Sequence, residues 1–304
     1  MTRKEVVANL TGIFPPVVTP FNRNGAVDEA RFRANLQRYN GVGLAGIVVA
    51  GSTGEAPYLN ERERLRLVEV AREVVRPPEL LIAGTGLEST AETLRLSREA
   101  IERGADALLI LTPNYYKSRM DAVAQVTHYR RLGDKLRRPV IIYRIPQFTG
   151  IHLELETIKA LSRHPNIAGI KDSLGDIRFV RSILREVAPG FRVLVGSVQI
   201  LFESLRAGAA GGVLGQAAFA PELCVGVFEA FRSGQLRTAA QLQQRLMPLA
   251  HKIGVPYGVA GIKAAMDLSG YHGGDPRPPL LQLDSTARKT IAAALKEART
   301  GLDF

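Results

Sequence analysis

Residues 80–111 read LLIAGTGLESTAETLRLSREAIERGADALLIL. An apolar run at 80–84 is followed by an amphipathic stretch and then by a second apolar run at 106–111. The stretch between them predicts a helix over 89–103, with Ser89 or Thr90 ahead of Glu92 supplying the N-terminal cap. Both apolar runs are near-continuous rather than alternating, which is the pattern of parallel strands covered by helices on the outside.

The same unit recurs along the chain. Candidate strands lie at Gly12–Val18, Ala45–Ala50, Leu80–Gly84, Asp106–Leu111, Pro139–Tyr143, Asn166–Lys171, Arg192–Gly196 and Gly211–Gly215. Between them, stretches such as Asn60–Val75 put Leu65, Val68, Val70, Ala71 and Val74 on one stripe with Arg and Glu elsewhere. Eight alternations without a composition break predict an α/β fold, a (β/α)8 TIM barrel over 1–220, rather than an open doubly wound sheet. Beyond Pro221 the β signal stops, and Glu222–Ser233, Leu236–Ile253, Gly258–Ser269 and Ser285–Thr300 read as helices. The expectation for 221–304 is a C-terminal helical extension packed on the barrel, making one structural domain overall.

A chain of 304 residues has room for such a barrel, and 46% hydrophobic with 23% charged residues excludes disordered, collagen-like and coiled-coil classes. No apolar stretch approaches the ~20 residues of a membrane-spanning helix, and MTRKEVVANL lacks the apolar segment of a secretory signal. The single cysteine, Cys224, forms no intramolecular disulfide. A cytoplasmic protein with no membrane partner is expected. Forty Lys and Arg against 29 Asp and Glu give a net charge of +11, which could serve nucleic acid, an acidic surface or small anionic substrates. The basic residues come in short pairs, such as Arg130–Arg131 and Arg137–Arg138, and Trp is absent. Nucleic acid is therefore not the expected partner, although a basic, non-catalytic nucleic-acid-binding barrel stands as the alternative from a different class.

In a barrel the chemistry sits where strands end. Those positions offer Ser52 and Thr53 after the second strand, Thr112–Tyr116 after the fourth, Tyr143 ending the fifth, Lys171 ending the sixth, and Gly196 with Ser197 after the seventh. Lys171 closes the run NIAGIK and would point into the barrel mouth, where lost solvation favours a free amine able to form a Schiff base. The plainer reading is a strand-end lysine paired with Asp172 or Asp176. Tyr143 is its companion, as a proton shuttle or simply as a core tyrosine with a satisfied hydroxyl. The turn GSTGE at 51–55 offers backbone N–H groups and two hydroxyls to a carboxylate, but lacks the Gly-Lys-Ser/Thr of a phosphate loop. GTGLES at 84–89 lacks the third glycine of a dinucleotide fingerprint, which weakens the case for a nucleotide-dependent oxidoreductase. The five histidines are scattered, without metal-ligand spacing, so no metal and no cofactor are expected.

Taken together and in order, GIFPPVVTPF, GSTGE, TPNYYK, YRIPQFTG and GIKDSLGD resemble the dihydrodipicolinate synthase and N-acetylneuraminate lyase superfamily of pyruvate-handling class I aldolases. The resemblance spans essentially the whole chain. It implies that Lys171 is the Schiff-base lysine, that Tyr143 relays protons, that Ser52 continues the relay, and that Thr53 joins it in binding the pyruvate carboxylate. It further implies a homotetramer in which Tyr115 enters the neighbouring subunit's site, with Ser173 and the backbone of Leu214 near the bound keto acid. Dihydrodipicolinate synthases carry an arginine two residues after the proline of the fifth-strand motif, and this chain has Phe148 there. Arg144 also lies nearby, but should point out of the barrel because it alternates with Tyr143. TPNYYKSRM and TGIHLELETIKALSRHPNIAGIKDSLGD are most similar to the 4-hydroxy-2-oxoglutarate aldolases. That resemblance implies cleavage of the acid to pyruvate and glyoxylate. The alternatives are dihydrodipicolinate synthesis and the handling of a related sugar acid by an aldolase or dehydratase.

Overall fold

A computed structural model describes residues 1–301 of the chain. Eight parallel strands form one sheet: β1 (Gly12–Phe14), β2 (Gly46–Val49), β3 (Leu80–Gly84), β4 (Ala107–Leu111), β5 (Val140–Arg144), β6 (Ile167–Asp172), β7 (Arg192–Val195) and β8 (Gly211–Val213). The ladder runs β1-β8-β7-β6-β5-β4-β3-β2. A bridge between Pro16 and Val48, with Val17 N–H donating to the Val48 carbonyl at 2.9 Å, brings β1 back to β2. The result is a nearly closed (β/α)8 barrel, as the apolar runs predict.

Alternate strand residues divide the core in two. Phe14, Val48, Ile82, Leu109, Ile141 and Leu194 pack together inside the barrel. Ile13, Val49, Leu81, Ile110, Ile142 and Val195 face the helices. Strand β6 breaks the alternation. Its register against β5 steps from Val140–Ile167 to Ile141–Gly169, so Ala168 is an extra residue and the strand carries a β-bulge. Ile167 and Ile170 both pack outward, and the bulge leaves Lys171 facing inward. Gly169 permits the local approach of chains, since a Cβ there would lie 2.3 Å from the Arg192 carbonyl oxygen.

One element lies outside the sequence expectations. Residues Arg3–Asn9 form a helix whose N-cap, Thr2, shares a capping box with Glu5. Val6 and Leu10 are fully buried in the interior cluster, closing that end of the barrel. Leu10→Ala should lower the unfolding free energy by about 2–5 kcal/mol through lost burial and a residual cavity. Urea denaturation checks this.

The helices beyond the barrel are Pro221–Arg232, Leu236–Leu249, Val255–Leu268 and Ser285–Arg299. The predicted helix Leu236–Ile253 ends at Leu249 and passes through a π turn, Ala250–Gly254, directly into the next. Pro248 and Pro256 lack the amide protons of a continuous α-ladder, and the wider turn absorbs the interruption. Gly258 then kinks the following helix at φ 51°, ψ −133°. Residues 302–304 of the predicted C-terminal segment lie outside the described residues.

Candidate active site

The ends of β2, β5, β6, β7 and β8, together with the C-terminal helices, enclose a cavity of about 440 Å³. Lys171 reaches it from β6 and is 5% exposed. Its Nζ lies 4.1 Å from the ring centroid of Tyr143, its register partner on β5. The Tyr143 hydroxyl donates to Ser52 Oγ at 3.3 Å. An amine over a phenol ring and a phenol hydroxyl bonded to a serine hydroxyl therefore come together from three different strand ends, and Thr53 and Ser173 line the same cavity.

The plainer reading of Lys171 fails on its neighbours. Asp172 points outward and pairs with Arg144 at 2.5 Å, both almost wholly buried, while the Arg144 guanidinium stacks 4.2 Å from the Phe179 ring centroid. Burial pushes the Asp172 carboxyl above the usual carboxylate range against the opposing pull of Arg144. Asp176 caps the helix Ile177–Glu186, accepting from the Arg178 and Phe179 amides. Among the described residues Lys171 has no carboxylate within salt-bridge distance, and it is the only cationic side chain lining the cavity.

Gly196, at the end of β7, is what leaves room for this cluster. A Cβ there would fall 1.9 Å from Ser173 Oγ and 3.1 Å from Lys171 Cε. Gly196→Ala should push both groups out of place and slow turnover on the order of 10²-fold, the usual cost of an ångström of misplacement. Steady-state kinetics beside a thermal melt separates that effect from unfolding.

Two expected site residues stand apart from the cavity of their own chain. Tyr115 is 76% exposed and packs edge-on against Tyr116, while its amide donates to Glu88. Leu214 is fully buried with its N–H donating to the Phe14 carbonyl at 3.1 Å, and its neighbours Val213 and Gly215 line the cavity instead. Phe148, 67% exposed, lines the cavity, and Arg144 points away from it, as its alternation with Tyr143 predicts. Gly254, Val255, Val259 and Ile262 form a wall of the cavity, and Gln199 and Gln216 present amides to it, none of them marked by a motif in the sequence. Helical periodicity marks a buried face without saying which site it borders. Among the described residues no three His, Cys, Asp or Glu side chains gather to hold a metal ion, and no helix is long and apolar enough to cross a membrane.

The chain is 34% identical over 290 residues to the 4-hydroxy-tetrahydrodipicolinate synthase of Bartonella bacilliformis, covering 95% of this chain and 98% of that one. It is also 34% identical over 292 residues to a probable mitochondrial 4-hydroxy-2-oxoglutarate aldolase of Emericella nidulans, covering 94% and 93%. In structure it is similar to YagE, an E. coli K12 prophage protein of the dihydrodipicolinic acid synthase family crystallised with pyruvate. The TM-score is 0.90 at 29% identity, over 95% of this chain and 98% of that one. Residues 9–298 match the profile of the Dihydrodipicolinate synthetase family. A nearly closed barrel, a cavity-facing lysine and whole-length similarity to lyases converge: the chain belongs to the dihydrodipicolinate synthetase family.

Proposed function

We infer that the protein is a class I aldolase in which Lys171 forms an imine with a pyruvate-derived 2-keto acid, and that its preferred reaction is cleavage of 4-hydroxy-2-oxoglutarate to pyruvate and glyoxylate. The observation that carries this reading is Lys171 held over the Tyr143 ring, with the Tyr143 hydroxyl bonded to Ser52, in the cavity. The Lys171 amine attacks the C2 carbonyl, and water leaves as the protonated imine forms. That imine draws electrons from the C3–C4 bond; the C4 hydroxyl loses its proton toward Tyr143 and Ser52 as glyoxylate departs. The enamine left behind takes a proton at C3, and hydrolysis releases pyruvate. Thr53, with the backbone of its turn, receives the keto-acid carboxylate. Ser173 and the Val213–Gly215 segment that holds Leu214 flank the bound acid. Tyr115 completes the relay of a second copy in a homotetramer. This chemistry asks for no metal or nucleotide.

Phe148 supports the choice of substrate. An arginine there would grip the carboxylate of aspartate semialdehyde, and an apolar ring does not. The cavity also presents the amides of Gln147, Gln199 and Gln216. They favour, as a second reading, a longer hydroxylated keto acid. Borohydride reduction in the presence of pyruvate should leave a mass adduct on Lys171, and its absence would sink the aldolase assignment. A panel of 4-hydroxy-2-oxoglutarate, aspartate semialdehyde with pyruvate, and sugar-derived keto acids then ranks the substrates. Phe148→Arg should shift that ranking toward the semialdehyde by about 10–100-fold, the worth of one charge-assisted hydrogen bond. An unchanged ranking would show that residue 148 does not select the aldehyde.

A further inference from the structure

Ala50 and Glu55 are the two non-glycine residues with positive φ, 52° and 58°, among the described residues. They bracket the turn that carries Ser52 and Thr53. A left-handed conformation is unfavourable for a residue with a Cβ and persists only where its surroundings impose it. At Glu55 the cause is visible. Its side chain is 1% exposed and meets Lys263, itself fully buried, at 2.5 Å. Lys263 Nζ also donates to the Thr19 and Asp275 carbonyls, each at 2.9 Å, so every ammonium proton has an acceptor. The second Glu55 oxygen accepts the Arg277 amide at 2.7 Å. Thr19 Oγ1 donates to the Gly54 carbonyl at 2.7 Å, fixing the peptide next to Glu55. The turn after β2 is thus tied to the helix Val255–Leu268 and to the segment that follows it.

We propose that the buried Lys263–Glu55 pair is a positioning device for the carboxylate site, holding Glu55 left-handed so that the Ser52 and Thr53 hydroxyls and amides face the cavity. Neither residue touches the reacting atoms. The inference rests on the aldolase reading only in taking this turn as the one that receives the keto-acid carboxylate. A pair that served stability alone would leave substrate affinity untouched once the protein folded.

The double variant Glu55→Gln with Lys263→Met removes both charges and keeps the volumes, so no uncompensated charge stays buried. It should raise KM for the preferred keto acid about tenfold or more and speed amide exchange across residues 51–56. A folded double variant with KM within twofold of the unaltered protein overturns the proposal. Should that variant fail to fold, the unaltered protein provides the second arm. Saturating pyruvate should slow exchange both at 51–56 and at the Arg277 amide that bonds Glu55. Protection confined to 51–56 overturns the coupling. If the unaltered protein gives no borohydride adduct with pyruvate, the aldolase reading falls and takes the carboxylate site with it. An adduct with unmoved KM removes the positioning role alone.

Discussion

Lys171→Ala should abolish borohydride trapping of pyruvate and lower the aldolase rate on the order of 10⁴-fold or more, as expected when a covalent nucleophile is lost. The substitution should leave the fold in place. Lys171 has no carboxylate partner among the described residues, so removing it strands no buried opposite charge. Asp172, the nearest acid in sequence, keeps Arg144. Lys171→Arg is the sharper control, because it retains a cation in the cavity without a nucleophilic amine. Trapping and turnover that survive either change would remove Lys171 from the chemistry. Retained binding of nucleic acid by the alanine variant would instead favour the non-catalytic alternative.

Tyr143→Phe should slow turnover by about 10²–10³-fold, within the range of a lost general acid–base group. Imine trapping should persist, though more slowly. The ring remains beneath Lys171 Nζ, so the cation–π contact at 4.1 Å survives and only the hydroxyl that donates to Ser52 disappears. A drop in kcat with little change in KM marks a relay; a rise in KM alone would make Tyr143 a binding residue. Rapid-quench measurement of adduct formation, beside steady-state kinetics, tells the two apart.

Much of the fold is legible in the chain because parallel strands buried on both faces are spelled as short unbroken apolar runs. Strand β3 keeps its predicted bounds, Leu80–Gly84, while β1 spans Gly12–Phe14 of the expected Gly12–Val18. Beyond Phe14 come Pro15 and Pro16, which offer no amide protons for a ladder. The helix Arg3–Asn9 went unseen because seven residues with only Val6 buried give little periodicity to detect. At the site, strand-end position was enough to bring forward Lys171, Tyr143, Ser52 and Thr53. The C-terminal wall was not legible, since which helix reaches the cavity depends on the π turn and the kink at Gly258. Nor did the net charge of +11 report on the cavity, where Lys171 is the only cationic side chain among the described residues. Many arginines instead sit in surface ion pairs, such as Arg66 with Glu29 and Arg95 with Glu61.

The extra residue in β6 makes this strand behave like a reading frame. Lys171 and Asp172 are consecutive and of opposite sign, and the register the strand takes up after the bulge decides which one meets the substrate. Smoothing out the bulge with Ala168 kept in the ladder, so that Ile141 faces Ala168 and Arg144 faces Lys171, would present a carboxylate to an incoming keto acid and bury an amine against the Phe179 ring. The cavity would then repel its substrate and lose its nucleophile in a single step. Register is therefore constrained here far more tightly than in the solvent-facing turn at Asn22–Gly25, and a one-residue indel between the bulge and Lys171 is a more damaging change than most substitutions around it.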